Sequence, residues 1–189
     1  MSTIGIILGS SRPGRQGEPV ARWVHDIASA RDDATYEFID IAEAALPHLD
    51  EAIPPVAGAY TRPHTLAWAE RIARLDGFVF VTPEYNHSVP GALKNAIDFL
   101  FAEWGNKAAG FVGYGPTGAI RAVEHLRLIM SELHVATVRA QAALTFATDF
   151  ADRTTFRPAK ESRVVVEQLL DQVVSWAEAL EPVRLKAQA

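Results

Sequence analysis

Two short, uninterrupted apolar runs constrain this chain most. Ile4-Gly5-Ile6-Ile7-Leu8 ends at Gly9, and Phe78-Val79-Phe80-Val81 lies between Gly77 and Thr82-Pro83. Neither run alternates with polar residues, so neither offers a face to water. Such runs suit strands covered on both sides, which is the condition of a parallel sheet wrapped in helices. Tyr36–Ile41, Ala108–Gly113 and Val135–Leu144 supply further strand candidates. Helical periodicity fills the intervals. A helix is predicted from about Glu18 or Pro19, with Val20, Trp23, Val24 and Ile27 on its apolar face. Others follow at His64–Leu75, Pro90–Phe101, Ile120–Leu133 and Glu161–Leu180. The alternation β-α-β-α-β-α-β-α-β-α predicts an α/β fold, a doubly wound parallel sheet with helices on both faces. Residues 145–160 read as irregular, the tail after Pro182 as frayed, and residues 1–189 as one domain.

Charge and composition narrow the function classes. The net charge is −5, so nothing in the overall balance attracts nucleic acid or an anionic membrane surface. An anionic ligand needs a local device. Cysteine is absent, which removes thiol catalysis, disulfides and thiolate metal sites together. The six histidines are dispersed without ligand spacing, so no metal site is expected. The apolar run at the N-terminus is short and lacks a basic leader, and no run approaches the roughly 18 residues of a membrane helix. The expected location is the cytoplasm.

Ligands of doubly wound sheets bind beyond the carboxyl ends of the strands. The loops after the first, third and fourth strands are therefore the informative ones. The first is Gly9-Ser10-Ser11-Arg12-Pro13-Gly14-Arg15-Gln16-Gly17. Its hydroxyls, its amide and its arginines, followed by a helix N-terminus, make a cradle for a terminal phosphate. It lacks the Gly-Lys-Ser/Thr of a P-loop and the G-x-G-x-x-G of dinucleotide binders. A plain polar connection is the competing reading. The second loop, Thr82-Pro83-Glu84-Tyr85-Asn86-His87-Ser88-Val89-Pro90-Gly91, concentrates an aromatic ring, an amide and a carboxylate, a surface suited to a flat heteroaromatic ring. Ser88 is predicted to cap the next helix, with Pro90 in its first turn. His87 reads as a turn histidine rather than a proton donor. The third loop, Gly113-Tyr114-Gly115-Pro116-Thr117-Gly118, lets backbone approach a ligand. Trp23, Phe78, Phe80 and Phe99 are expected in the core, whereas Trp68 and Trp104 fit either the core or a subunit interface. Glu103 fits either an intersubunit ion pair or a surface one.

Together these segments resemble the NADPH-dependent FMN reductase family, which includes quinone, azo and chromate reductases. The resemblance runs from Ile4 to about Leu144 and is most specific in PEYNHSVPGALKNAID, residues 83–98. LGSSRPGRQGEPVARWV is similar to the family's phosphate loop and first helix, and AVEHLRLIMSELHV to its fourth helix. The resemblance implies a flavodoxin-like fold with a five-stranded sheet of order 2-1-3-4-5. It implies bound FMN, NADPH or NADH as electron donor, a small-molecule acceptor, and a homodimer or dimer of dimers. On it, Ser10, Arg12, Arg15, Gln16 and Gly17 hold the FMN phosphate. Pro83, Glu84, Tyr85 and Asn86 line the isoalloxazine ring, and Gly115, Pro116, Thr117 and Gly118 border its other edge. The flavin carries the chemistry, so no catalytic side chain is implied. The chain departs from the family pattern at Tyr114–Ala119, which has fewer glycines and a proline without an N–H at 116. A flavodoxin-type electron carrier and a flavin-binding interaction protein without turnover are the alternative readings.

Overall fold

The structure, a computed structural model, describes residues 1–187. The apolar runs become strands β1 (Thr3–Leu8) and β3 (Gly77–Pro83), and every residue of β3 is buried. With β2 (Thr35–Asp40), β4 (Ala108–Gly115) and β5 (Ala136–Thr145) they form a sheet of order β2-β1-β3-β4-β5. All four pairings are parallel. This is the doubly wound, flavodoxin-like arrangement, and its order reverses between β1 and β3.

The connecting helices are α1 (Gly17–Ser29), α2 (Pro63–Ala73), α3 (Gly91–Asp98), α4 (Ile120–Glu132) and α5 (Lys160–Ala187). Successive strand residues point to opposite faces, so each strand feeds two cores. Ile4, Ile6, Leu8, Val79, Val81 and Val112 pack with α1 and α5. Ile7, Phe78, Phe80 and Phe111 pack with α2, α3 and α4.

Trp68 and Trp104 belong to this second core and not to a subunit interface. They are 3% and 1% exposed, and their indole N–H groups donate to Ala96 O at 2.8 Å and Ile97 O at 3.1 Å. Glu103 is likewise engaged within the chain, accepting from the Tyr60 hydroxyl at 2.8 Å. Trp23 lies at the rim rather than in the core, edge-on to Phe156.

Three further boundaries differ from the sequence reading. The helix expected over Pro90–Phe101 is only Gly91–Asp98, with a short 3-10 turn at Ala102–Trp104. Residues 145–160 are not wholly irregular. β6 (Phe150–Ala151) and β7 (Thr155–Phe156) form a small antiparallel hairpin, organised by the buried Asp149. That carboxylate accepts from Thr145 N, Thr148 Oγ1, Ala159 N and Ser162 Oγ, so it joins the end of β5 to the start of α5. The tail expected to fray after Pro182 stays helical to Ala187. The reason is Arg184, buried at 7% exposure, whose guanidinium donates to Ala177 O, Asn106 O and Asp76 Oδ1.

At the amino ends of the strands Lys107 is also buried, and its Nζ donates to the last carbonyls of α2, Ile72 O at 2.8 Å and Ala73 O at 3.0 Å. Burial pulls its amine down to about 7, against the opposing pull of Asp76. The folded state therefore releases a proton that the unfolded chain retains up to its ordinary value near 10.5. Unfolding free energy consequently rises as pH climbs from about 7 towards 10, where the unfolded chain binds more protons. Lys107→Met is expected to flatten that rise, as checked by urea unfolding across this range.

Candidate functional site

The loops after β1, β3 and β4 meet at the carboxyl end of the sheet because those strands are neighbours in register. Leu8 pairs with Val81, and Pro83 with Tyr114. Contacts across long stretches of sequence then tie the loops together.

In the first loop the two arginines have different partners. Arg15 is largely buried and forms a two-pronged ion pair with Asp40, the last residue of β2. It also donates to Ser10 O at 2.6 Å. Its charge is thus matched inside the chain, and its task is to fold the loop against the sheet. Arg12 is exposed, and its terminal nitrogens reach only Pro13 O and Gly14 O, both at 3.4 Å. Contacts of that length are weak, so the guanidinium fork is open to a stronger acceptor. Ser10 is fully buried, and the amides of Ser11 and Gly14 find no partner among the described residues. Gln16 reaches away from the loop, donating to Arg153 O at 3.1 Å on the β6–β7 hairpin. Gly17 opens α1. A Cβ there would fall on the Tyr114 hydroxyl, so glycine is what lets the Tyr114 ring cross the start of the helix.

The second loop is a tight turn. Asn86 and His87 both have positive φ, 49° and 75°, and Tyr85 and Ser88 exchange backbone hydrogen bonds at 2.9 and 3.1 Å. This is a type I′ geometry, with Asn at a favoured position. Ser88 does not cap α3. Pro90 occupies the cap position, and the Ser88 hydroxyl instead meets His125 Nδ1 at 3.0 Å. Tyr85, Asn86 and His87 stand exposed at the tip, while Pro83 is buried at the end of β3.

The Glu84 side chain, only 7% exposed, turns from the tip towards α4. Its carboxylate accepts from the amides of Arg121 (3.2 Å) and Ala122 (3.3 Å) and pairs with the Arg121 guanidinium. An anion at a helix N-terminus is stabilised by the helix dipole and by the free amides. Burial pushes the Glu84 carboxyl up, but the Arg121 and Ala122 hydrogen bonds outweigh it and hold the group below its ordinary range.

The third loop closes as a turn, Gly118 N donating to Gly115 O at 3.2 Å. Pro116 occupies the second position of that turn, where proline is favoured and no N–H is required. Gly118 has φ +64°, and a Cβ on it would press on Ala143 at 2.7 Å. Tyr114 is buried between this loop and the first, and burial raises its phenol so that it stays protonated.

The structure thus brings Ser10, Arg12, Tyr85 and Asn86 to one edge with the Gly115–Gly118 loop. It assigns Arg15, Gln16 and Glu84 to bracing contacts within the chain. Asp40, Tyr114 and Arg121 belong to this framework and were not singled out from sequence. Their partners lie 25 to 37 residues away for Asp40 and Arg121, so no local pattern marks them. A shallow cleft of about 350 Å³ opens beside the first loop, lined by Ser11, Arg12, Gly14, Arg15, Glu18 and Ala42. A larger cleft, about 510 Å³, lies at the opposite end of the sheet around Lys107 and Arg184. There the cations already serve backbone carbonyls and Asp76, so chemistry rather than volume selects the loop edge. An open guanidinium fork, unpaired loop amides and an exposed aromatic-amide turn fit the phosphate and ring of FMN.

Comparison with known proteins agrees. Residues 2–149 match the family described as NADPH-dependent FMN reductase, and the chain belongs to that family. An NAD(P)H-dependent FMN reductase of Nectria sp is 38% identical over 159 residues, covering 79% of each chain. A quinone reductase of Escherichia coli K12 is 39% identical over 131 residues, covering 66% of each. Among solved structures, the flavoenzyme NAD(P)H:(acceptor) oxidoreductase FerB of Paracoccus denitrificans superimposes with a TM-score of 0.73. It covers 95% of this chain and 98% of its own at 24% identity, and so supports the fold.

Removing the brace at α4 should be measurable. Glu84→Ala is expected to lower stability by about 1–3 kcal/mol, the cost of orphaning partly buried amides and a cation, and Arg121→Ala by less than about 1 kcal/mol. Because the carboxyl is depressed in the folded state, the stability it contributes is full above its unfolded value and fades as pH falls through the acid range. The gap between wild type and Glu84→Gln in urea should therefore be widest above about pH 5 and narrow below it.

Proposed function

We propose that this chain is an FMN-dependent NAD(P)H oxidoreductase that passes two electrons to a quinone, a free flavin or a similar small acceptor. The observation that carries the reading is the meeting of the Gly9–Gly17 loop and the Tyr85–Ser88 turn at the carboxyl ends of adjacent strands β1 and β3. A ligand spanning both needs an anionic end and a flat end, which is the shape of FMN.

When bound, FMN supplies hydride chemistry at its N5, which donor and acceptor use in turn, so ping-pong kinetics follow. The chain's own residues bind and orient. Arg12, with the loop amides, takes the phosphate, and the buried Ser10 supports the loop from beneath through its contact with Tyr85. Pro83, Tyr85 and the Asn86 backbone lie along the ring, and Gly115–Gly118 borders its other edge. Arg15, Gln16, Gly17 and Glu84 shape this surface from behind. No side chain is assigned a proton-transfer role. The quinone reductases among the relatives support a quinone acceptor. A homodimer or dimer of dimers is supported by Ile120 and Leu128, which are 50% and 72% exposed on the outer side of α4. His125 of the same helix reaches Ser88 of the turn, so a second copy docked there would lie beside the site. The lack of cysteine suits the reducing cytoplasm, where we place the protein.

The test begins with flavin. The purified protein should be yellow, release FMN on denaturation and oxidise NADPH or NADH in the presence of benzoquinone. An FMN-loaded protein with no turnover on any such pair would favour an electron carrier. Arg12→Ala should weaken FMN binding by about tenfold or more while changing riboflavin binding little, since riboflavin has no phosphate. Arg15→Ala, by contrast, should lower thermal stability by leaving the buried Asp40 unpaired, and should weaken both flavins.

A further inference from the structure

Tyr85 does more here than present a ring face. Its hydroxyl lies 3.2 Å from Arg12 Nε and 3.1 Å from Ser10 Oγ, bridging two loops about 75 residues apart in sequence. The backbone that carries this ring is held firmly. The Tyr85–Ser88 turn is closed by two backbone hydrogen bonds, and the preceding Glu84 is anchored to α4. Arg12, by contrast, is an exposed residue on a flexible stem, with no ion-pair partner among the described residues. An arginine left free in this way loses much of its side-chain freedom when it closes on a ligand. One that already donates Nε–H to a fixed acceptor has its guanidinium plane set in advance.

The geometry is directional. Arginine can only donate, so the phenol oxygen is the acceptor of Nε–H. That contact occupies Nε and leaves both terminal nitrogens, the pair that grips a phosphate end-on, with only their 3.4 Å loop contacts. The same phenol meets the fully buried Ser10 hydroxyl at 3.1 Å, which ties it to the floor of the loop and leaves Arg12 as the group it aims.

Resting on the FMN reading above, we infer that Tyr85 is a positioning residue for the phosphate cradle. Its hydroxyl pre-orients Arg12 for a terminal monophosphate, and so couples the ring platform to the phosphate end of the site.

The inference separates from a platform role by comparing two flavins on the flavin-free protein. Tyr85→Phe keeps the ring and deletes the hydroxyl. FMN affinity, followed by quenching of flavin fluorescence, should fall about tenfold, the scale of one hydrogen bond to a charged group. Riboflavin affinity should change less than twofold. In an Arg12→Ala background the same substitution should change FMN affinity less than twofold, because the group it positions is gone. Equal weakening of both flavins, unchanged FMN affinity, or full additivity with Arg12→Ala overturns the inference while leaving FMN binding intact. A wild-type protein that binds neither flavin overturns the reading of the site itself, and this inference with it.

Discussion

The site depends on β3, a strand of seven residues that shows no side chain to water. Burial on both faces commits it to the middle of the sheet, with β1 on one side and β4 on the other. Parallel pairing then brings the carboxyl ends of these strands out together. The Gly9–Gly17 loop, the Tyr85–Ser88 turn and the Gly115–Gly118 loop become neighbours although they are far apart in the chain. The aromatic packing of Phe78, Phe80, Phe111, Trp68 and Trp104 beneath them makes that edge stiff. Cutting back one such core aromatic costs about 3–5 kcal/mol in typical domains, so the frame tolerates little change.

On this frame the charged groups divide their work. Three of the residues with functional-looking side chains, Arg15, Gln16 and Glu84, are engaged with Asp40, the β6–β7 hairpin and α4. Each joins a ligand-facing loop to a more rigid element behind it. What remains open towards a ligand is small: the fork of Arg12, a few amides, and the tip at Tyr85–His87. A neutral or acidic protein can hold a phosphate monoester this way, since one well-aimed cation beside a helix N-terminus suffices without a basic surface.

Much of this was legible in the amino-acid order, because the strong signals are local. Continuous apolar runs marked β1 and β3, helical spacing marked α4, and the loop compositions marked the three loops that the structure brings to one edge of the sheet. The misreadings came where a distant partner decides the outcome. Pro182 looked like a helix terminator, but the buried Arg184 holds the helix beyond it. Ser88 had the look of a cap, yet the left-handed pair Asn86-His87 turned its hydroxyl towards His125. Trp68 and Trp104 could not be placed without knowing that two helices close over them. Glu84 is read with the other residues of its loop, and only the position of α4 reveals its bonds to Arg121 and Ala122. The β6–β7 hairpin has strands of two residues each, too short to carry a period.

The ion pair between Arg15 and Asp40 links the Gly9–Gly17 loop to the fate of an edge strand. β2 has one neighbour only, β1, and Asp40 is its last residue. Edge strands and their ends are where a sheet opens first, at a fraction of the free energy of global unfolding. Each opening of the β2 end would release Arg15 and loosen the loop it shapes. Any ligand held by that loop would suppress the opening by mass action, so occupancy and fraying would be one equilibrium seen from two sides. The order of the Gly9–Gly17 loop, in this chain, is partly a property of the last residue of β2.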